Sequence, residues 1–240
     1  MSAPHPLLEG LREAWLVTAH PLVVEHRKGG EPRVGDADAL WEGARKSAGA
    51  LRDFGLRAGD RLAVLLPPGV AYVQWFLACL GARITFVPCA SLAGVPAQAV
   101  VGGSGELAAL PSLERASRPG ERVLLRSGQG WERMDDDALR EAAAARDLGP
   151  LAPGLRVWSG GGWRDRRSVS RELLPLLARG CAVHVGIREE VPPGSFAATP
   201  SLAIGASDRI MRWLERYPET LRGARLVALE SLDQPARAAA

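Results

Sequence analysis

Residues Asp36 to Cys89 read DADALWEGARKSAGALRDFGLRAGDRLAVLLPPGVAYVQWFLACLGARITFVPC, and this stretch decides the fold. Leu40, Ala44, Ala48 and Leu51 fall at i, i+4, i+8 and i+11, which is one apolar stripe of a helix. Arg45, Lys46, Arg52 and Asp53 turn mostly outward. Asp36 or Asp38 supplies an N-cap, and Gly55 sits where a left-handed residue ends a helix, with Leu56 folding back behind it. Arg57-Ala58-Gly59-Asp60 is turn chemistry. Arg61 to Leu66 is an apolar run suited to a strand buried on both faces. Pro67-Pro68-Gly69 ends it, Val70 to Gly81 predicts a second apolar helix, and Ile84 to Cys89 the next strand. Strand, crossover helix and strand of this length make a right-handed βαβ unit with parallel strands.

Working outward, His20-Pro21-Leu22-Val23-Val24 predicts an earlier strand and Ala99-Val100-Val101 a later short one. Arg122 to Arg126 reads as a strand, and Asp136 to Arg146 as a polar, Ala-rich helix. Residues 90 to 120 alternate apolar pieces with Gly, Pro and Ser. The breakers Asp147-Leu148-Gly149-Pro150 and Ala152-Pro153-Gly154 mark the best internal boundary. The expected organisation is a first α/β lobe over 1–150, with its βαβ core at 36–89, and a second, smaller α/β lobe over 151–240.

The order G-L-x-x-G-D-R-x-A-V-L-L-P-P-G, the L-A-C-L-G-A-R helix and F-V-P-C resemble the opening of AMP-dependent synthetases and ligases. This is the adenylate-forming superfamily of acyl-CoA synthetases, luciferases and peptide-synthetase adenylation domains. The match is specific over about residues 20 to 90. It implies an α/β fold of parallel-sheet layers with flanking helices, like the first part of that family's large N-terminal domain. An unrelated doubly wound α/β protein would also place Gly-Asp-Arg before a buried strand.

Leu155 to Trp158 reads as a strand that runs into Ser159-Gly160-Gly161-Gly162, with a helix starting near Ser168 or Ser170. The family holds here a T-S-G-T-T-G-x-P-K-G loop, which wraps the phosphates of ATP through backbone N–H groups, hydroxyls and a lysine. In register, Ser159 and Gly160 match Ser-Gly. Gly161 and Gly162 replace the two threonines, Trp163 the glycine, Asp165 the proline and Arg166 the lysine. The resemblance thus implies phosphate contacts from Ser159, Gly160, Gly161 and Gly162 with Arg164, Arg166 and Arg167. The same residues also read as a plain glycine-rich turn before a solvated basic helix start.

Lys28 and Lys46 are the only lysines, and every other basic residue is arginine. The lysines that the family uses in its phosphate loop and its mobile C-terminal part therefore have no counterpart in these 240 residues. Arginine binds anions through a rigid fork and does not reproduce a flexible point charge. Further on, Leu173 to Val185 resembles a family helix-to-strand passage, Ala198-Thr199-Pro200-Ser201-Leu202 a family turn, and Leu221 to Leu229 a later strand. A helix is expected over Ala206 to Tyr217. A stretch the family carries before Leu173 is missing, as are the Y-G-x-T-E motif, the T-G-D aspartate, the hinge and the small C-terminal domain.

Composition agrees with a globular α/β protein: 47% hydrophobic residues suffice for a sizeable core. The net charge of +3 is spread over mixed charges, which gives no argument for a nucleic-acid partner, and none is expected. Leu62 to Ala82 is uncharged, but Pro67-Pro68-Gly69 interrupts any membrane-spanning helix. Cys79, Cys89 and Cys181 lie in or beside apolar runs without CxxC spacing, and no signal peptide opens the chain, so a cytoplasmic location is expected. GxSxG, GxxxxGK[ST], GxGxxG and HExxH are all absent. Cys181 and His184, three apart on a strand, face opposite sides. His5, His20 and His26 lack metal-ligand spacing, and Asp135-Asp136-Asp137 suits a solvated helix N-terminus. The seven tryptophans are expected mainly in the core or between lobes, with Trp163 placed to stack on a planar ligand.

Two functions follow. One is a degenerate AMP-dependent synthetase/ligase-like protein without complete adenylation activity alone, serving as a binding or partner protein. The other is one half of a split acid–CoA ligase that uses ATP and a carboxylic acid. An unrelated phosphate-binding α/β module is a third. The resemblance implies ATP or AMP as nucleotide and an acyl group as further ligand. It leaves room for a protein partner or a homo-oligomer, while composition and spacing lead to the expectation of no metal, no nucleic acid and no membrane.

Overall fold

The alternation of inward and outward side chains along short buried strands builds two sheets in the computed structural model, which describes residues 5–28, 30–102, 117–118, 120–186 and 199–233. Ala198 of the expected turn and, of the 90–120 stretch, residues 103–116 and 119 lie outside the described residues. The chain opens with α1 (Pro6–Leu16), β1 (Val23–Glu25) and β2 (Arg33–Gly35). The deciding stretch follows as α2 (Ala37–Asp53), β3 (Arg61–Val64), α3 (Val70–Ala82) and β4 (Thr85–Pro88). Then come β5 (Ala99–Val101), β6 (Val123–Ser127), β7 (Gly130–Met134) and α4 (Asp136–Ala144). The last part holds β8 (Arg156–Ser159), a π-helical turn (Ser168–Leu173), α5 (Leu174–Ala178), β9 (Ala182–Val185), β10 (Leu202–Gly205), α6 (Ser207–Arg216) and β11 (Arg225–Ala228). A 3₁₀ turn over Leu229–Asp233 follows.

The helix ends are those the sequence specifies. The Ala39 N–H donates to Asp36 Oδ1 at 2.7 Å, so Asp36 is the N-cap of α2. At its other end Gly55 takes φ 77°, its N–H reaches the Arg52 carbonyl, and the Leu56 N–H reaches the Leu51 carbonyl. That double closure is a Schellman motif, and it needs a residue tolerant of positive φ.

One sheet has the order β5-β3-β4-β6-β7, parallel except for the β6–β7 hairpin. The predicted βαβ unit is its centre, with Leu62 opposite Phe86 and Ala63 opposite Val87. The other sheet has the order β11-β10-β8-β9-β1-β2, parallel except for β1–β2. The break expected at 147–154 falls between α4 and β8, yet strand pairing crosses it. Val23 of β1 lies opposite Val183 of β9, so residues 23–35 join the sheet built by 156–228.

The main core takes inward side chains from both sheets, such as Val64, Phe86, Val157 and Val183, together with α1 to α5. Their outward neighbours form two satellites. Ala63, Val87 and Leu124 pack with Val95 and Ala97. Trp158 and Ala203 pack with Trp213 and Tyr217 beneath α6. This period-two sorting fixes strand register, because a slip of one residue would exchange the two sides. Among the described residues no helix is long and apolar enough to cross a membrane.

A buried ion pair ties β3 to the segment before β6: Arg61 reaches Glu121 Oε2 at 3.0 Å, and both residues are buried. The Arg118 N–H also donates to Glu121, while the Thr85 hydroxyl donates to the Glu121 carbonyl. Arg61→Met is expected to lower unfolding free energy by about 3 kcal/mol, since a buried carboxylate loses its main counter-charge. Urea titration of both proteins reads this directly, and a change below about 1 kcal/mol would show that Glu121 is satisfied without Arg61.

Candidate functional site

The glycine-rich turn leaves the sheet at the end of β8, between β10 and β9, where Ser159 is already buried. The Gly160 N–H donates to the Ile204 carbonyl at 2.7 Å, which carries pairing with β10 one residue beyond the strand. A Cβ on Gly160 would stand 2.8 Å from the Trp213 ring, and one on Gly205 would stand 3.1 Å from Gly160 Cα. A Cβ on Gly161 would stand 1.9 Å from Glu172 Oε2, whereas Gly162 faces open space. Close approach of the protein's own groups therefore explains Gly160 and Gly161.

The group pressed against Gly161 is a fully buried carboxyl. Glu172 comes from the π-helical turn, whose i→i+5 spacing brings residues four and five apart onto one face; Ser168, Val169, Glu172 and Leu173 are all buried. The Ser159 hydroxyl donates to Glu172 Oε1, and the Gly161 N–H donates to the same oxygen at 3.3 Å. Burial pushes the Glu172 carboxyl up to about 7, while the Ser159 hydroxyl and the Gly161 N–H pull it down. The donors of the turn are thus already taken by a carboxyl of the same chain.

Trp163 stands where the resemblance places a glycine, and its backbone keeps the conformation a glycine would favour, with φ 49°. A non-glycine residue in that region costs about 1 kcal/mol. Burial outweighs this: the ring has no exposure and packs on Tyr72 of α3 with centroids 5.5 Å apart. The Tyr72 hydroxyl also donates to the Trp163 carbonyl. The expectation that Trp163 stacks on a planar ligand is therefore corrected, because its ring is core that joins the turn to the helix of the other sheet.

The seven expected phosphate contacts fall in two places. Ser159 and Gly161 face Glu172, Gly160 packs on β10 and α6, and Gly162 is exposed. Arg164, Arg166 and Arg167 instead line a separate cavity with Arg126 and Arg171. Glu172 was missed by sequence reasoning although a signal exists: it lies three residues after Val169, on the apolar face of that turn. A second missed group is the pair His26–His184, with Nε2 and Nδ1 3.0 Å apart, His26 just after β1 and His184 on β9. Burial lowers both, and His184 is pushed down to about 4 by burial, then by His26 and Arg156. Their separation of 158 positions hides them from any local pattern. Cys79, Cys89 and Cys181 are buried free thiols, and burial raises Cys181 to about 12. Among the described residues no cluster of three or more His, Cys, Asp and Glu is arranged to hold a metal.

No protein-family model matches the sequence, and no curated protein matches it. Solved structures do. CmiS6 superposes with a TM-score of 0.68 at 19% identity over 95% of this chain and 66% of its own. IdnL1 gives 0.70 at 21% identity over 94% and 55%, and a Mycobacterium tuberculosis fatty acyl CoA synthetase gives 0.67 at 12% over 92% and 54%. These neighbours are adenylate-forming ligases, and the chain has the fold of their N-terminal domain. It spans between about half and two thirds of their length, as the coverages of 54% and 66% show.

Glu172 gives this site a pH signature. Its carboxyl titrates higher in the folded chain than the ordinary 4.5, so the folded state holds the proton more tightly. That contribution is fully present below pH 4.5 and is lost as pH rises through about 7. The loss amounts to about 3 kcal/mol. Glu172→Gln is expected to flatten the fall in urea midpoint between pH 5 and pH 7.5, and an unchanged pH profile would place the effect elsewhere.

Proposed function

We propose that this chain is a degenerate ligase-like protein, without complete adenylation activity of its own, that serves as a binding or partner protein. One observation carries the reading. At the position of the family's phosphate loop, the Ser159 hydroxyl and the Gly161 N–H donate to Glu172 of the same chain. A phosphate entering there would find those donors taken and would have to displace a buried carboxyl of the same chain. The absence of lysine between Lys46 and Ala240 supports the same reading, since the glycine turn and its surroundings hold no flexible ammonium to neutralise a phosphate. The buried free thiols fit a reducing compartment, and a cytoplasmic location is part of this proposal.

A split ligase is the second reading, favoured by the share of the neighbours covered, 54% to 66%, and by the edge strand β11. β11 pairs only with β10 among the described strands, and Leu226 on it is partly exposed. An unpaired edge of this kind is suited to extension by a further strand.

ATP–pyrophosphate exchange over a panel of carboxylic acids tests both. The chain alone is expected to give no exchange above background, and robust turnover by it alone would overturn the first reading. Exchange that appears only on mixing with a second polypeptide would establish the split ligase.

A further inference from the structure

The five arginines outside the glycine turn define a second place for an anion. A cavity of about 800 Å³ opens between the β6–β7 hairpin and residues 164–171, large enough for a small organic ligand. Its wall includes none of Ser159 to Trp163 and not Glu172. Pro88, Cys89 and Ala90 give it an apolar side, while Arg126, Arg164, Arg166, Arg167 and Arg171 outnumber Glu132 and Asp165. An isolated parallel bridge between Arg126 and Asp165 holds the two segments together at this point.

The charges are not equivalent. Arg166 is paired with Glu132 at 2.7 Å, and Arg171 with Asp147. Arg167 feels Glu230, and the Asp165 carboxylate accepts from the Ser168 N–H and hydroxyl. Arg126 and Arg164 have no carboxylate partner among the described residues, and the Arg164 Nε is buried without a hydrogen-bond acceptor. A buried guanidinium N–H left unmatched is costly, so this arginine carries a charge that no neighbouring group balances.

We propose that this cavity binds a small phosphate monoester. The dianion lies between Arg126 and Arg164 and the organic group lies against Pro88 to Ala90. The count of charges selects the ligand. Two unmatched guanidiniums neutralise a phosphate monoester, which carries a charge of about −2 at neutral pH, and a lone carboxylate would leave one of them unmatched. The proposal rests on the reading of the chain as a binding protein, but it places the anion outside the turn that Glu172 fills.

Calorimetric titration at low salt with phenyl phosphate, inorganic phosphate and benzoate tests it. Phenyl phosphate is expected to bind at least as tightly as inorganic phosphate, and benzoate about tenfold or more weakly. Arg126→Ala and Arg164→Ala should each weaken phenyl phosphate about tenfold or more, since each removes a charged hydrogen bond. Arg222→Ala, which removes an exposed guanidinium paired with Glu219 far along the chain, should change nothing. Arg126 is exposed, so its variant leaves the core intact. Affinity should fall as pH drops through about 6, where the ester takes up its second proton. The proposal is overturned by failure of phenyl phosphate to saturate the folded chain, by tighter binding of inorganic phosphate, by benzoate binding as tightly, or by equal loss in Arg222→Ala. Adenylate exchange by the chain would remove the proposed function and leave this site standing. Absence of phosphate binding would remove the site and leave that function untouched.

Discussion

Glu172 has no exposure, and the two sheets meet around the turn that buries it. Two donors from one short segment, the Ser159 hydroxyl and the Gly161 N–H, offset part of the loss of water around its carboxyl. Trp163 in turn needs Tyr72 as a neighbour, and Tyr72 is itself stacked edge-on against Phe86 of β4. A chain of contacts therefore runs from the carboxyl, through the turn, into the βαβ unit of the other sheet. Gly161 cannot accept a Cβ without displacing the carboxylate, and Gly160 cannot accept one without displacing Trp213. The run of glycines follows from this packing.

The sequence made α2, β3, α3 and β4 legible because every signal there is local. A cap, a stripe, a stop and an alternating strand lie within a few residues of one another. Sheet membership was less legible. That β1 belongs beside β9 depends on Val23 meeting Val183, a contact that periodicity does not encode. The glycine turn was recognised as a feature, but what fills it was not. Glu172 sits in SVSRELLPLL, where a charged residue before an apolar run looks like a solvated helix start. Only the wide turn over Ser168–Leu173 rotates it inward. Trp163 shows the reverse case: a bulky residue takes φ 49°, a conformation that glycine favours, because its ring is buried against Tyr72.

The same economy recurs at other sites able to bind an anion. The N-terminus of α2 is held by Asp36, and that of α4 by Asp135. Glu25, on β1 of the opposite sheet, accepts from the Val70 N–H at the start of α3, at 3.3 Å. Asp165 accepts from the Ser168 N–H at the start of the π-helical turn, and Glu230 from the Ser207 N–H at the start of α6. Helix N-termini attract anions because their first N–H groups lack partners and the dipole favours negative charge. Here protein carboxylates meet that demand at each of these ends, and α5 continues directly from the π-helical turn.

A ligand phosphate therefore finds no vacant set of backbone donors at those helix ends, and must be recognised by side-chain charge. Backbone N–H groups are fixed in place and pay no conformational entropy when a phosphate arrives. Guanidiniums on flexible stems do, and each ordered long side chain costs about 1 kcal/mol. Recognition by Arg126 and Arg164 is accordingly weaker per contact and more sensitive to salt than recognition by a glycine loop. It is also suited to holding a ligand and poorly suited to the chemistry of phosphoryl or adenylyl transfer, which relies on donors preorganised around developing charge. The use of arginine side chains in place of backbone donors is thus the physical reason that this fold can hold an anion while its glycine turn is packed into the core.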